Sequence, residues 1–130
     1  MKLLWYVALG SAVGGAARFA LGNAIQARSA GAFPIGTFIV NLTGSLLLGF
    51  LMRYALASPS VSAEVRALLT TGLCGGYTTF STFSYETLTL MQVGDYRRAT
   101  LYATLSVVLS VIGALLGVLA AAELLARRAG

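Results

Sequence analysis

The stretch GLCGGYTTFSTFSYET, residues 72–87, lies in the middle of an apolar segment but is poor in leucine and isoleucine. The pairs Gly75-Gly76 and Thr78-Thr79 disfavour a continuous helix, because glycine loses much backbone entropy and β-branched side chains are stiff. Irregular backbone in a bilayer is tolerated only where protein buries it or it lines a cavity. We therefore expect a membrane segment whose helix breaks near residues 72–79. The alternative is a continuous helix whose small residues allow close packing.

The composition outside this stretch also indicates a membrane protein. The 130 residues are 58% hydrophobic and 10% charged, with no histidine and one cysteine, Cys74, whereas soluble domains carry about 25% charged residues. These values exclude a disordered chain, a disulfide scaffold and a histidine-based metal or acid–base site. Because a spanning helix needs roughly 20 apolar residues, the length allows four spans with short loops and no soluble domain.

The predicted fold is therefore an all-α integral membrane domain covering residues 1–130. Its four transmembrane helices are placed at about residues 3–27, 35–57, 67–93 and 99–125. Pro34 and Pro59 mark the first two loops. Ser62 is a candidate N-cap, with Glu64 in the first turn after it. An even number of spans places both termini on the same side of the membrane.

The net charge of +5 does not indicate nucleic-acid binding, because most basic residues lie at the ends of segments, where they anchor helices at the membrane surface. One side would hold five basic residues and the other side three, or four if Arg18 is counted there. So small a difference leaves two possibilities open: a single orientation, or insertion in both orientations with an antiparallel dimer as the product. The side of the two termini would hold Lys2, Arg53, Arg66, Arg127 and Arg128. The opposite side would hold Arg28, Arg97 and Arg98.

Two polar stripes run along predicted spans. Asn41 lies one helical turn from Thr37 and from Ser45 in the second span. Tyr102, Ser106 and Ser110 repeat the same four-residue spacing in the fourth span, so that each set shares one helix face. Polar groups inside a membrane are expensive and tend to mark function. The alternative is that the hydroxyls bond their own i−4 carbonyls and only pack helices together.

The remaining candidate site residues favour a small anion over a cation. Phe80 and Phe83 lie three residues apart with Thr82 between them, and phenyl rings carry a positive edge. Arg18 is the only base well inside a span and Glu86 the only acid. A structural interpretation is the alternative for each. The phenylalanines would be plain packing residues, Arg18 would reach the interface or pin loops, and Glu86 would be a capping or pairing group.

At residues 75–83, GGYTTFSTF, the chain resembles the Fluc (CrcB) family of fluoride channels. Three further features support the resemblance: GGAARF at residues 14–19, TFIVNLTGSLLLG at residues 37–49, and the stripe of Tyr102, Ser106 and Ser110. The resemblance extends over all four spans, and the motif in the third span is highly specific.

The resemblance implies an antiparallel, dual-topology homodimer with two pores, a multi-pass protein of the plasma membrane, which in a bacterium is the inner membrane. It implies passive, selective export of fluoride, which relieves fluoride toxicity without an energy source or an organic cofactor. It also implies a structural sodium ion at the dimer centre, held by the backbone carbonyls of Gly75 and Thr78. The matching pore positions are Asn41, Phe80, Phe83, Tyr102, Ser106 and Ser110, with Thr82 and Glu86 near the pore and Arg18 in the first span.

Two other kinds of membrane protein remain as alternatives. A small proton-coupled multidrug exporter would also have four spans, but its chemistry needs a carboxylate in the first span, and residues 3–27 contain none. A non-transporting assembly subunit would use the polar stripes only for packing. An enzyme is not expected, because the sequence offers no nucleophile–base pair and no metal-ligand cluster.

Overall fold

The computed structural model describes residues 1–130 and is wholly helical. Three helices are long and apolar enough to cross a membrane, so the chain is an all-α, multi-pass membrane protein. The last of them begins three residues before the predicted fourth span and continues four residues beyond it. The elements are α1 (Lys2–Ala27), α2 (Ile35–Ala57), α3 (Ala63–Ala67), a π-helical segment (Leu68–Cys74), α4 (Gly75–Tyr77), α5 (Phe80–Gln92) and α6 (Tyr96–Ala129).

Side-chain caps begin three of these helices, α3, α5 and α6. The Val65 backbone N–H donates to the Ser62 hydroxyl at 3.2 Å, which confirms the predicted N-cap of α3. The Arg98 backbone N–H donates to the Asp95 carboxylate at 3.1 Å and starts α6. Hydrogen bonds from Arg98 hold the pKa of Asp95 below its ordinary value. Gly94 precedes this cap with a φ of 80°, which permits the sharp turn between α5 and α6.

The third predicted span is divided into short elements. The backbone widens into the π-helical segment and then makes one turn of α4. At Thr78 (φ −83°, ψ 155°) and Thr79 (φ −149°, ψ 112°) it is extended, and helix α5 starts at the next residue. The interruption therefore lies at the two threonines, at the end of the stretch 72–79, while Gly72 and Gly76 remain helical. The π-helical segment places Gly72 against α1, and α4 places Gly76 against it.

Glycine allows α1 to lie directly against this divided segment. A methyl group added at Gly76 would lie 2.6 Å from the Ser11 carbonyl oxygen, and one at Gly72 would lie 2.9 Å from the Val7 carbonyl oxygen. Helix α2 packs along α6 in the same way, because a methyl group at Gly49 would overlap the Ala114 backbone. Small residues at such contacts let helix backbones approach closely within a membrane. One close contact therefore joins α1 to the divided segment, and the other joins α2 to α6.

Only 18 of the 130 residues are buried within the subunit, so most apolar side chains point outward. On α6, for example, Val111 is 65% exposed and Leu115 is 54% exposed. Because leaving apolar area in water costs about 25 cal/mol per Å², this surface must be covered by lipid or by another protein. Within the subunit, the bundle is a thin layer of helices rather than a thick apolar core.

Candidate functional site

A cavity of about 290 Å³ opens between α2, the interruption, α5 and α6, and we call it the central groove. Five of the predicted pore residues line it together: Asn41, Phe80, Phe83, Ser106 and Ser110. Ser45, Thr78 and Thr79 add further hydroxyls, and leucine and valine side chains complete the wall. The groove is open on one side of the subunit. It is therefore an open groove with a polar and aromatic lining rather than an enclosed channel.

The side chain of Asn41 binds the extended backbone at the interruption. The Thr79 N–H donates to Asn41 Oδ1 at 2.7 Å, and Asn41 Nδ2 donates to the Thr79 carbonyl at 3.1 Å. Both backbone groups of Thr79 would otherwise lack the partners that a helix supplies. An asparagine amide has two N–H groups, and only one of them is used here. Asn41 thus holds the interruption in place and keeps one donor for the groove.

Hydroxyl groups stabilise the two ends of the interruption. The Thr78 hydroxyl donates to the Cys74 carbonyl at 2.9 Å and closes α4. The Thr79 hydroxyl accepts the Thr82 N–H at 3.2 Å and so caps α5. It also lies 3.0 Å from the Thr82 hydroxyl. Threonine is therefore useful at both positions, because its β-branch suits extended backbone and its oxygen replaces missing helical partners.

The two phenylalanines of the third segment lie side by side. The ring centroids of Phe80 and Phe83 are 5.5 Å apart with an interplanar angle of 49°. Phe80 is 77% exposed on the open side of the groove, whereas Phe83 packs against the ring of Tyr102 at 5.2 Å. Phe80 is therefore held mainly by its own backbone, and its outer face is free to meet another molecule.

Ser106 carries a polar atom without a protein partner. Its Oγ is buried and makes no hydrogen bond within the subunit, and the residue lines the central groove. Buried hydroxyls are normally paired, since leaving one unpaired costs about 1–3 kcal/mol. Ser110 lies one turn further along the same face of α6 and also lines the groove. The arrangement leaves one unsatisfied hydroxyl group directly beside the groove.

A second cavity, of about 240 Å³, lies on the other side of the interruption, and we call it the polar cavity. Thr82 and Glu86 line this cavity and not the central groove, and Thr37 and Arg18 face them across it. Tyr102 is fully buried and lines neither cavity, and its hydroxyl donates to Glu86 Oε1 at 3.2 Å. Thr79 alone lines both spaces. Thr79, which Asn41 holds in place, thus lies where the central groove and the polar cavity meet.

Sequence comparison agrees with this geometry. Residues 5–118 match the family model described as "CrcB-like protein, Camphor Resistance (CrcB)". The chain belongs to the CrcB family. A relative from Geobacter sulfurreducens is 42% identical over 124 residues, which is 95% of this chain and 100% of the relative. A relative from Aquifex aeolicus is 43% identical over 102 residues, which is 78% of this chain and 82% of the relative. A relative from Chlorobaculum tepidum is 45% identical over 121 residues, which is 93% of this chain and 95% of the relative. Each of the three relatives is named "Fluoride-specific ion channel FluC".

In this CrcB chain, Arg18 reaches from α1 to the interruption. Its Nε donates to the Gly76 carbonyl oxygen at 3.1 Å. Positive charge at the end of a helix interacts favourably with the last carbonyls, so Arg18 stabilises the end of α4. It makes no ion pair with a carboxylate, and it lines the polar cavity. Arg18 therefore combines a structural contact with a positive charge beside that cavity.

The carbonyls of Gly75 and Thr78 lie at the same interruption of the CrcB fold. No side chain and no loop N–H of the subunit donates to either oxygen. Backbone carbonyl oxygens are suitable ligands for a hard cation, so these residues fit the implied sodium ion chemically. Two carbonyls are too few to surround a cation, so a complete site would need further oxygen ligands.

Two further residues of the groove were less conspicuous in the sequence. Ser45 continues the face of Asn41 by one turn and lines the groove without a hydrogen bond of its own, so the four-residue spacing was a sufficient signal. The pairing of Thr79 with Asn41 had no sequence signal, because the two residues are 38 positions apart. Only the packing of α2 against the interruption reveals that Thr79 lies between the two cavities.

Proposed function

We propose that the protein is a fluoride-selective channel that lets fluoride leave the cytoplasm passively and so lowers its toxicity. The observation that carries the proposal is the central groove, where Phe80, Phe83, Asn41 and the unpartnered Ser106 hydroxyl meet in one CrcB-family subunit. The relatives named as fluoride-specific channels cover nearly all of this chain. Passive conduction of an ion forms and breaks no covalent bond, so the proposed activity is that of a channel and not of an enzyme.

The chemistry of the groove suits a small anion. Hydroxyl and amide N–H donors replace part of the hydration shell that the ion loses, and the positive edge of a phenyl ring attracts negative charge. No carboxylate lines the central groove, so nothing in its wall repels an anion. Glu86 lies in the polar cavity, where Tyr102 donates to it and Arg18 lies across from it. The ion would pass from the groove, beside the phenylalanines, towards Thr79, Thr82 and the polar cavity.

The functional unit in this proposal is an antiparallel, dual-topology homodimer with two pores. One subunit leaves the groove open and leaves Phe80 77% exposed, so a second copy can close the path and cover the ring. The near-even distribution of basic residues between the two sides is compatible with insertion in both orientations. The predicted third span would then cross the bilayer as the divided segment from α3 to α5, with its irregular backbone buried between subunits.

The carbonyls of Gly75 and Thr78 from both subunits would hold a structural sodium ion where the interruptions meet. The ion would supply a fixed positive charge and a rigid link between subunits. Asn41, Arg18 and Thr78 prepare this place from the protein side, because their hydrogen bonds fix the backbone on either side of the two carbonyls. We place the dimer in the plasma membrane, the inner membrane of a bacterial cell.

The test is fluoride efflux from liposomes that contain the purified protein, measured with a fluoride electrode. We expect rapid fluoride efflux and little chloride efflux, and we expect Phe80→Ile to reduce fluoride efflux while the dimer persists in gel filtration. Tyr85→Ile is the matched control, because Tyr85 is an exposed aromatic residue of the same helix that lines none of the cavities. Absent or chloride-like flux from a folded dimer would refute the proposed function. Loss of the dimer when sodium is withheld before reconstitution would support the sodium site.

A further inference from the structure

A third cavity lies at the end of the bundle where α2 ends and α3 begins, and we call it the terminal pocket. Its volume is about 220 Å³, and it shares no lining residue with the central groove or the polar cavity. Its wall includes Phe50 and Tyr54 from the last turns of α2. The loop before α3, α3 itself and the π-helical segment contribute Val61, Val65 and Leu69, respectively. Phe50 lies about 10 Å along the axis from the end of α2. The pocket therefore lies within about two helical turns of the end of a membrane-spanning helix.

The interior of the terminal pocket is suited to an apolar chain. Phe50 and Tyr54 stack with ring centroids 5.9 Å apart and an interplanar angle of 11°, which makes one flat wall. The Thr70 hydroxyl at the wall donates to the Arg66 carbonyl at 2.8 Å and is therefore satisfied. Cavities of roughly 150 Å³ lined by apolar side chains stay dry and accept apolar ligands. Neither water nor a free anion matches such a wall.

Two arginines without a carboxylate partner lie at this pocket: Arg66 in its lining, and Arg128 outside the lining but bound to the lining residue Tyr54. Arg66 lines it and donates through Nη2 to the Ala55 carbonyl at 3.3 Å, while its Nε is buried without any partner. Arg128 donates to the Tyr54 hydroxyl at 2.7 Å, with its guanidinium 5.8 Å from the centre of the Tyr54 ring. The ion pairs of the chain are Lys2–Glu64, Arg98–Asp95 and Arg127–Glu123, so neither charge is neutralised.

We propose that the terminal pocket binds an anionic phospholipid of the surrounding bilayer, with an acyl chain between Tyr54 and Leu69 and the phosphate between Arg66 and Arg128. A guanidinium binds phosphate oxygens well, because its planar N–H groups match their geometry. Basic pockets between membrane helices are suitable sites for anionic headgroups. A lipid with a choline headgroup would bring an ammonium group towards two arginines and bind less well.

Native mass spectrometry of the intact protein in detergent tests this site with phosphatidylglycerol and with phosphatidylcholine of the same acyl chains. We expect one retained phosphatidylglycerol per subunit, weaker retention of phosphatidylcholine, and no displacement by inorganic phosphate. Arg128→Gln should weaken retention about fivefold, the effect of one basic side chain at an anionic membrane surface. Arg66→Gln should also weaken retention, because it removes the other guanidinium from the proposed phosphate site. If Arg66→Gln does not fold, Val61→Phe is the second variant, and it should abolish retention by filling the pocket.

Arg127→Gln is the matched control, because Arg127 is adjacent in sequence but is paired with Glu123 outside the pocket. Arg53→Gln is a second control, since Arg53 carries charge at the same end of α2 without lining the pocket. Equal losses in the control and pocket variants would overturn the proposal, because they would indicate diffuse surface charge. Equal retention of both lipids, displacement by inorganic phosphate, or full retention by Val61→Phe would overturn it as well.

Discussion

Asn41 is the residue whose replacement tests most directly how the interruption and the ion path depend on each other. Its amide supplies both hydrogen bonds to the extended Thr79 backbone, at 2.7 Å and 3.1 Å. In Asn41→Leu, which has similar volume, both bonds are lost and two backbone groups are left unpaired. Each group left without a partner costs about 1–3 kcal/mol. The loss should be borne locally, because α1, α2 and α6 keep their packing.

The size of the local effect follows from these energies. If the held conformation of Thr79 loses about 2 kcal/mol, its population relative to open conformations falls about 30-fold. Amide exchange at Thr79, followed by mass spectrometry of a peptide covering residues 78–80, should accelerate by that factor. Fluoride efflux should fall with it, because Thr79 lies where the central groove and the polar cavity meet. Asn41→Asp should be intermediate in amide protection, since an ionised carboxylate still accepts from Thr79 N–H but donates nothing.

Thr89→Val is the control for loss of a polar group from a membrane helix. The Thr89 hydroxyl donates only to the Tyr85 carbonyl in its own helix, and the residue lines none of the three cavities described above. Its efflux and exchange should equal those of the unmodified protein. Wild-type efflux together with wild-type protection of Thr79 in Asn41→Leu would refute the reasoning, because the interruption would then be held by something other than this amide.

Three further predictions concern packing, the groove and the start of α6. Gly49→Ala should lower thermal stability by about 1–3 kcal/mol through overpacking against α6. Gly15→Ala, a change inside α1 whose added methyl group meets no atom within 4 Å, should leave the melting temperature in detergent unchanged or raise it, because alanine is the better helix former. Ser106→Ala should leave stability equal or raise it, because an unpaired buried hydroxyl is removed. The same variant should slow fluoride efflux, and unchanged efflux would show that the hydroxyl does not contact the ion. The pKa of Asp95 is lowered in the folded protein, so its ionised carboxylate stabilises the fold at pH values above the ordinary pKa of about 3.9. This contribution is lost as the pH falls below that value. Acid unfolding curves should therefore be shallower below pH 4 for Asp95→Asn than for the unmodified chain, and parallel curves would contradict the prediction.

Much of the candidate site could be predicted from local spacing. Asn41 and Ser45 share a face of α2, Ser106 and Ser110 share a face of α6, and all four line the central groove. Helical periodicity is a local property, so residues one turn apart can be placed together without knowing the fold. The same reasoning placed Tyr102 with Ser106, but the structure buries its hydroxyl against Glu86, because side chains at the same face can still meet different neighbours along a helix.

The sequence alone was sufficient for the membrane class, because hydropathy and the near absence of charge depend only on composition. It also indicated that the third segment is irregular, since glycine and threonine have local conformational costs. The tertiary structure decided where that irregularity lies: Gly72 and Gly76 are needed for contact with α1, and Thr79 is paired with Asn41 from α2. Contacts between residues far apart in the chain decided this, and such contacts leave no periodic pattern in the sequence.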